Sequence, residues 1–204
     1  MKSSTFLSIA GFDPSGGAGL ICDSQIASYY SIPIVALQTC LTSQNSKGVF
    51  NVWPTKIEII QESYKKLVED IDVKIIKIGL LPTAEIAYEI LEIVRNLSRE
   101  TKIILDPIIK PTGSGKLIEK NSIKVIKKLV RYSHLITPNL QELNLLTDKK
   151  NNKEANIKMM LDMGARNILL TGIDGDRGII NELYGENEIK FSLRKYQGSY
   201  RGTG

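Results

Sequence analysis

Phe6-Leu7-Ser8-Ile9-Ala10-Gly11-Phe12-Asp13-Pro14-Ser15-Gly16-Gly17-Ala18-Gly19 is the stretch on which the fold turns. Phe6–Ala10 is a short β-rich run, stopped by Gly11 and the Pro14–Gly17 cluster. A helix is expected from Leu20 to about Tyr30. Glycines let backbone approach a ligand closely, and a helix N-terminus turns free N–H groups toward it. A flexible turn before a good helix start accounts for the same residues. The loop matches neither G-x-G-x-x-G nor G-x-x-x-x-G-K-[ST], so a dinucleotide fold and a Walker-type site both lose support.

Outward from this stretch the alternation continues. Strands are expected at Ile34–Leu41, Val73–Ile78, Lys102–Leu105, His134–Thr137 and Ile168–Leu170. Helices are expected at Thr55–Glu69, Thr83–Leu97, Asn121–Val130, Leu140–Leu146 and Glu154–Met163. In the first of these helices Ile59, Ile60, Leu67 and Val68 share a face. After Gly172 the texture changes to glycine-punctuated strands, Gly178–Leu183 and Glu188–Leu193, resembling a hairpin. Strands alternating with helices predict an α/β fold: three layers, with a mostly parallel central sheet and helices on both faces. With no linker and no repeat, residues 1–204 read as one domain.

Composition excludes several classes. The 204 residues are 42% hydrophobic and 24% charged, an ordinary globular balance. No stretch approaches the ~20 apolar residues that cross a bilayer, and Met1-Lys2-Ser3-Ser4-Thr5 is too polar for a signal peptide. A cytoplasmic protein without membrane partners is expected. Net charge is +5, from 27 Lys+Arg against 22 Asp+Glu, which favours anionic ligands such as nucleotides. The lysines are scattered, without the aromatic interleaving that single-stranded nucleic acid needs. Cys22 and Cys40 have no metal-ligand spacing and read as small buried groups. His134, the single histidine, precedes Leu135-Ile136 and reads as structural. A Ser–His–Asp hydrolase also lacks its nucleophile elbow. Trp53, Tyr29 and Tyr30 are expected in the core or at an interface.

In a parallel sheet ligands sit beyond the carboxyl ends of the strands, and the loops there carry the chemistry. Asp23 follows the glycine loop, one turn into its helix. Gln44, in Thr42-Ser43-Gln44-Asn45, donates and accepts at once, which suits a heteroaromatic edge. Then come Lys77-Ile78-Gly79-Leu80, Asp106-Pro107 and Thr137-Pro138-Asn139-Leu140-Gln141-Glu142. Asp106 stands where a carboxylate aimed at a metal–phosphate group is expected. Asn139 and Glu142 fit a capping box, which does not exclude a role in a metal shell. Gly202-Thr203-Gly204 would form an anion-binding nest before a helix.

These segments, in this order from about Thr5 to Gly204, resemble the hydroxymethylpyrimidine/phosphomethylpyrimidine kinases of thiamine synthesis, in the ribokinase-like superfamily that also holds pyridoxal kinases. The resemblance implies ATP- and Mg²⁺-dependent phosphorylation of a hydroxymethyl group on a small pyrimidine, 4-amino-5-hydroxymethyl-2-methylpyrimidine, and leaves open whether the resulting phosphate is phosphorylated in a second step. It implies that Gly11, Asp23, Gln44 and Leu80 hold the pyrimidine. Leu80 stands where the family often has Met, as an apolar wall. Asp106 and Glu142 organise Mg²⁺ and phosphates, Glu142 largely through water; Asn139 and the position of Thr171 lie on the nucleotide side. Gly202, Thr203 and Gly204 match the start of the anion hole. A homodimer is implied as well.

The chain departs from the family at several points. Phe12 stands where Ser is usual and is expected to reshape the pocket, and Thr171 replaces a Lys common near the phosphates. Arg201 stands where His is common. The family's catalytic Cys or Asp comes directly after the position of Gly204, at the start of a helix outside the 204 residues, with further covering helices expected beyond. The domain thus reads as incomplete at its C-terminus. Pyridoxal kinase, or a binding relative without turnover, are the alternatives.

Overall fold

β1 (Thr5–Phe12) is the strand around which the sheet is laid, and its burial follows from its sequence. Leu7 and Ile9 are 0% exposed on one face and Ser8 is 0% exposed on the other. This is the two-sided burial that parallel strands adopt. A computed structural model describes residues 5–45, 48–109, 118–148, 152–175 and 178–195. After β1 come α1 (Gly19–Tyr29), β2 (Ile34–Asn45), β3 (Gly48–Pro54), α2 (Ile57–Asp70), β4 (Val73–Ile78), α3 (Ala84–Arg95) and β5 (Lys102–Leu105). The chain continues through α4 (Lys120–Leu129), β6 (Leu135–Ile136), α5 (Leu140–Thr147), α6 (Lys153–Asp162), β7 (Ile168–Gly175), β8 (Gly178–Tyr184) and β9 (Ile189–Leu193).

The strands form a single sheet in the order β3-β2-β1-β4-β5-β6-β7-β8-β9. From β2 to β7 all pairings are parallel; β3, β8 and β9 are antiparallel additions at the two ends. The chain runs from β1 outward to β2 and β3, then returns to the other side of β1 as β4. The boundary between β1 and β4 is therefore the topological switch point, where doubly wound sheets open a crevice.

Register decides what faces what. Leu7 pairs with Ile76 and Ile9 with Ile78, and these continue to Ile103 and Leu105. All are 5% exposed or less and merge into the main core with Ile86, Ile90, Val125 and Leu129 of the helices. The helices on this side are neighbours: α2 touches α3, α3 touches α4, Lys127 of α4 pairs with Asp148 after α5, and Gly164 after α6 packs on Arg131. Side-chain caps fix several of their starts, as Thr83 accepts from the Ile86 amide and Asn152 from the Ala155 amide.

The opposite face holds Ser8, Lys77 and Ile104, and α1 covers it at β1 and β2. Among the described residues α1 is the helix on that side. Farther along, Ile75, Ile104, Leu135 and Leu169 are only half-buried. On β9, which continues this face through Leu169–Leu183–Ile189 pairing, Ile189, Phe191 and Leu193 are 53%, 40% and 55% exposed.

The expected order of strands and helices is present, with four differences. β3 was not expected: it pairs antiparallel with β2 and turns Thr42–Asn45 from a loop into strand. His134–Thr137 narrows to Leu135–Ile136, the two residues in register with Ile104 and Leu105 of β5. The terminal hairpin is a three-strand meander, since Ile168–Gly175 is itself long enough to pair with β8. Trp53, Tyr29 and Tyr30 are not core residues; they are 53%, 80% and 66% exposed.

The β1–α1 corner depends on two glycines meeting. Gly19 has φ +59°, and a Cβ there would lie 2.2 Å from the Gly11 carbonyl oxygen. Gly172 has φ +71° with nothing within 4 Å of such a Cβ. Gly19→Ala should lower the unfolding free energy in urea by about 2 kcal/mol or more, adding a clash to left-handed strain, whereas Gly172→Ala should cost only about 1 kcal/mol.

Candidate active site

The parallel strands keep hydrogen bonding one residue past their formal ends, which aligns the loops along one rim. The Gly79 amide donates to Ile9 (2.8 Å), Asp106 to Ile78 (2.8 Å) and Thr137 to Leu105 (3.0 Å), and within β7 Thr171 donates to Pro138, beyond the end of β6 (3.0 Å). Side chains tie the loops further. Thr39 donates to the Leu80 carbonyl at 2.6 Å, and Thr42 to the Phe12 carbonyl at 3.1 Å. In the glycine loop, Asp13 is buried and accepts from both the amide (2.8 Å) and hydroxyl (2.7 Å) of Ser15, closing a turn.

On this rim Asp23 reaches down from α1. Ser8 donates to its Oδ2 at 2.5 Å and Lys77 to its Oδ1 at 2.7 Å. Lys77 also lies 3.8 Å from Asp106 Oδ2. Burial lifts the Asp106 carboxyl above the usual carboxylate range; Lys77 pulls it down, Asp23 pushes it up and a Thr137 hydrogen bond lowers it. Next in the row is Glu142, 6% exposed, whose Oε2 accepts from the Asn139 amide (3.0 Å) and Oε1 from the Ile109 amide (3.4 Å). Burial pushes Glu142 up to about 7 against those amides, and the like charge of Asp106 adds to the rise. Asp23, Asp106 and Glu142 are thus one electrostatic group, spanning the strand ends from the switch point outward.

The capping box is present, with Asn139 accepting from the Glu142 amide at 2.9 Å. Asn139 also stands beside Thr171 in an isolated parallel bridge, so the two positions expected on the nucleotide side are neighbours. Gly11 and Leu80 meet as well. A Cβ on Gly11 would lie 2.9 Å from Cys40 Sγ and 3.2 Å from Leu80 Cδ2, so a side chain there would have to push those walls aside. Gln44 stands on the β2–β3 hairpin opposite Val49, just past a register shift. Gly202, Thr203, Gly204 and Arg201 lie outside the described residues.

Phe12 ends β1. It lines an open groove of about 630 Å³ with Leu20, Ile21, Ser24, Gln25, Ser28 and Ala36, between α1 and β2. Cys40 is inert: burial pushes its thiol up to about 11. His134 lies at the start of β6, away from the rim, 3.3 Å from Lys102. The charged residue of this row that sequence reasoning passed over is Lys77, quoted only as part of a strand end. Its signal was there, a lone cation in the otherwise apolar Ile75-Ile76-Lys77-Ile78.

Among the described residues no group of three or more His, Cys, Asp or Glu could hold a metal alone. Asp106 and Glu142, the latter with its proton affinity raised by burial and by the charge of Asp106, suit a divalent cation completed by phosphates and water, as Mg²⁺ prefers. The donor set therefore fits Mg²⁺ shared with a nucleotide.

The parallel sheet, the switch-point crevice and the acidic row define a kinase of the ribokinase-like class. The chain belongs to the phosphomethylpyrimidine kinase family, whose model matches residues 13–204. It is 32% identical over 207 residues to a hydroxymethylpyrimidine/phosphomethylpyrimidine kinase of Aquifex aeolicus, covering 97% of this chain and 80% of that one. The Haemophilus influenzae enzyme of the same name is 29% identical over 171 residues, covering 81% of this chain and 63% of the relative. A Clostridium difficile phosphomethylpyrimidine kinase structure superposes with TM-score 0.82 at 28% identity, covering 93% of this chain and 84% of that one. A Bacillus subtilis pyridoxal kinase shares the fold, with TM-score 0.85 at 22% identity over 98% of this chain and 79% of that one.

Glu142 makes stability depend on pH. Its folded pKa of about 7 exceeds the ordinary 4.5, so the folded state holds the proton more tightly. Its contribution is fully favourable below pH 4.5 and is lost as pH rises through 7. In metal-free buffer, urea unfolding at pH 4.5 and 7.5 should show a fall of up to about 3 kcal/mol from this group, and Glu142→Gln should remove most of it.

Proposed function

We propose that this chain uses ATP and Mg²⁺ to phosphorylate the hydroxymethyl group of 4-amino-5-hydroxymethyl-2-methylpyrimidine, and then the phosphate so formed. Family membership supports the reaction class. The observation that carries the reading is the acidic row: Asp23 at the switch point, then Asp106 and Glu142 on successive strand ends.

In this reading Asp23 and Gln44 grip the polar edge of the pyrimidine. Gly11 lets the ring approach the β1 backbone, and Leu80 is the apolar wall that keeps water out. Asn139 and Thr171 border the nucleotide. Asp106, with Glu142 behind it, holds Mg²⁺, which when bound neutralises phosphate charge. Phosphoryl transfer asks the protein mainly for such positioning and charge stabilisation. Gly202, Thr203 and Gly204 would offer amides to the transferred group.

We further infer a cytoplasmic homodimer. No helix among the described residues is long and apolar enough to cross a membrane. Exposed Ile26, Tyr29, Tyr30 and Ile32 around the end of α1, with Phe50 and Trp53 on β3, offer apolar surface to a second copy.

A coupled ADP-release assay separates the alternatives. Hydroxymethylpyrimidine should support turnover and pyridoxal little. Binding of the pyrimidine without ADP release would mark a relative lacking catalysis, and silence with both substrates would exclude both kinases. Gln44→Ala should raise KM for the pyrimidine about tenfold or more and leave that for ATP within about twofold. Equal effects would contradict the role given to Gln44.

A further inference from the structure

Lys77 is the unexpected charge in the site. β4 is a central parallel strand with Ile76 and Ile78 fully buried on one face, and Lys77 is the residue it puts on the α1 face at the switch point. Its side chain is 21% exposed, between Asp23 at 12% and Asp106 at 31%. Ordering a lysine there costs rotamer freedom and partial desolvation, which a merely solvated lysine avoids. What it gains is contact with two carboxylates from different elements, Asp23 Oδ1 at 2.7 Å and Asp106 Oδ2 at 3.8 Å.

Resting on the kinase reading above, we propose that Lys77 is a positioning residue that locks the pyrimidine-binding carboxylate of Asp23 and ties its placement to the metal-binding carboxylate of Asp106. Asp23 is held at both oxygens, by Ser8 at 2.5 Å and Lys77 at 2.7 Å. Each carboxylate oxygen accepts about two hydrogen bonds, so the pair fixes the group while leaving one acceptor direction per oxygen for a ligand donor. Ser8 and Lys77 are register partners on β1 and β4, so the sheet itself sets the spacing of the two donors. The ammonium also keeps Asp23 and Asp106 from repelling each other across the crevice where substrate and metal must lie side by side.

The contacts are unequal, and so are the expected effects. Lys77→Met should raise KM for hydroxymethylpyrimidine about tenfold or more and the Mg²⁺ concentration for half-maximal rate by a smaller factor, with KM for ATP within about twofold. Lys77→Arg keeps the charge with a different fork geometry and should fall between. Should Lys77→Met not fold, Lys77→Arg and Ser8→Ala carry the test, each predicted to shift pyrimidine KM and not ATP KM. Equal changes in both constants, or none, in folded variants would overturn the proposal. A second readout does not need turnover: the ¹⁵Nζ resonance of Lys77 in the ligand-free protein should move on Asp23→Asn and, less, on Asp106→Asn. If the wild type neither binds nor phosphorylates the pyrimidine but this resonance responds to both, the substrate reading falls and the bridge stands. No response to Asp23→Asn would sink the bridge whatever the substrate.

Discussion

The hydrogen-bonded ladder of β1, held between β2 and β4, is the constraint on which the rest depends. Because β1 is buried on both faces, its register fixes Ser8 opposite Lys77 and Ile9 opposite Ile78. The chain leaves this strand through a corner so tight that Gly11 and Gly19 meet backbone to backbone. That corner drops Asp23 onto Ser8 and Lys77, and the extended ladder carries the same rim through Gly79, Asp106 and Thr137. A one-residue slip in β1 would turn Ser8 into the core and an isoleucine toward Asp23.

Among the described residues the rim is acidic and short of positive charge. Lys77 is the cation of the described row, shared between Asp23 and Asp106, while Glu142 relies on backbone amides. Burying Glu142 until its proton affinity rises to about 7 costs stability at neutral pH. The fold absorbs this cost on its other face, where α2 to α6 bury a continuous apolar core.

Much of this was legible from residues. Strand and helix alternation gave the layers, and glycine, proline and carboxylate positions gave the strand ends. Asn139 and Glu142 announced a capping box that is present. What stayed hidden was non-local. β3 is a short run, Gly48–Pro54, whose Trp53 and Phe50 are exposed, so no apolar pattern marks it; it exists because β2 offers an edge. Phe12 was expected to reshape the pocket, and only the packing of α1 against β2 shows the groove that it lines. Lys77 looked like strand filler because its two partners are 54 and 29 residues away in the chain.

The sequence by itself determined the class of fold, the family and which polar residues stand at strand ends, since periodicity, turn residues and cap spacing act over a few residues. Tertiary structure alone decided which of those residues face one another. Asp23, Lys77 and Asp106 come from a helix, a strand and a loop, and only the parallel register of β1, β4 and β5 places them within reach. The proton affinity of Glu142 was likewise a tertiary outcome, because burial and the charge of Asp106 exist only once the sheet has formed.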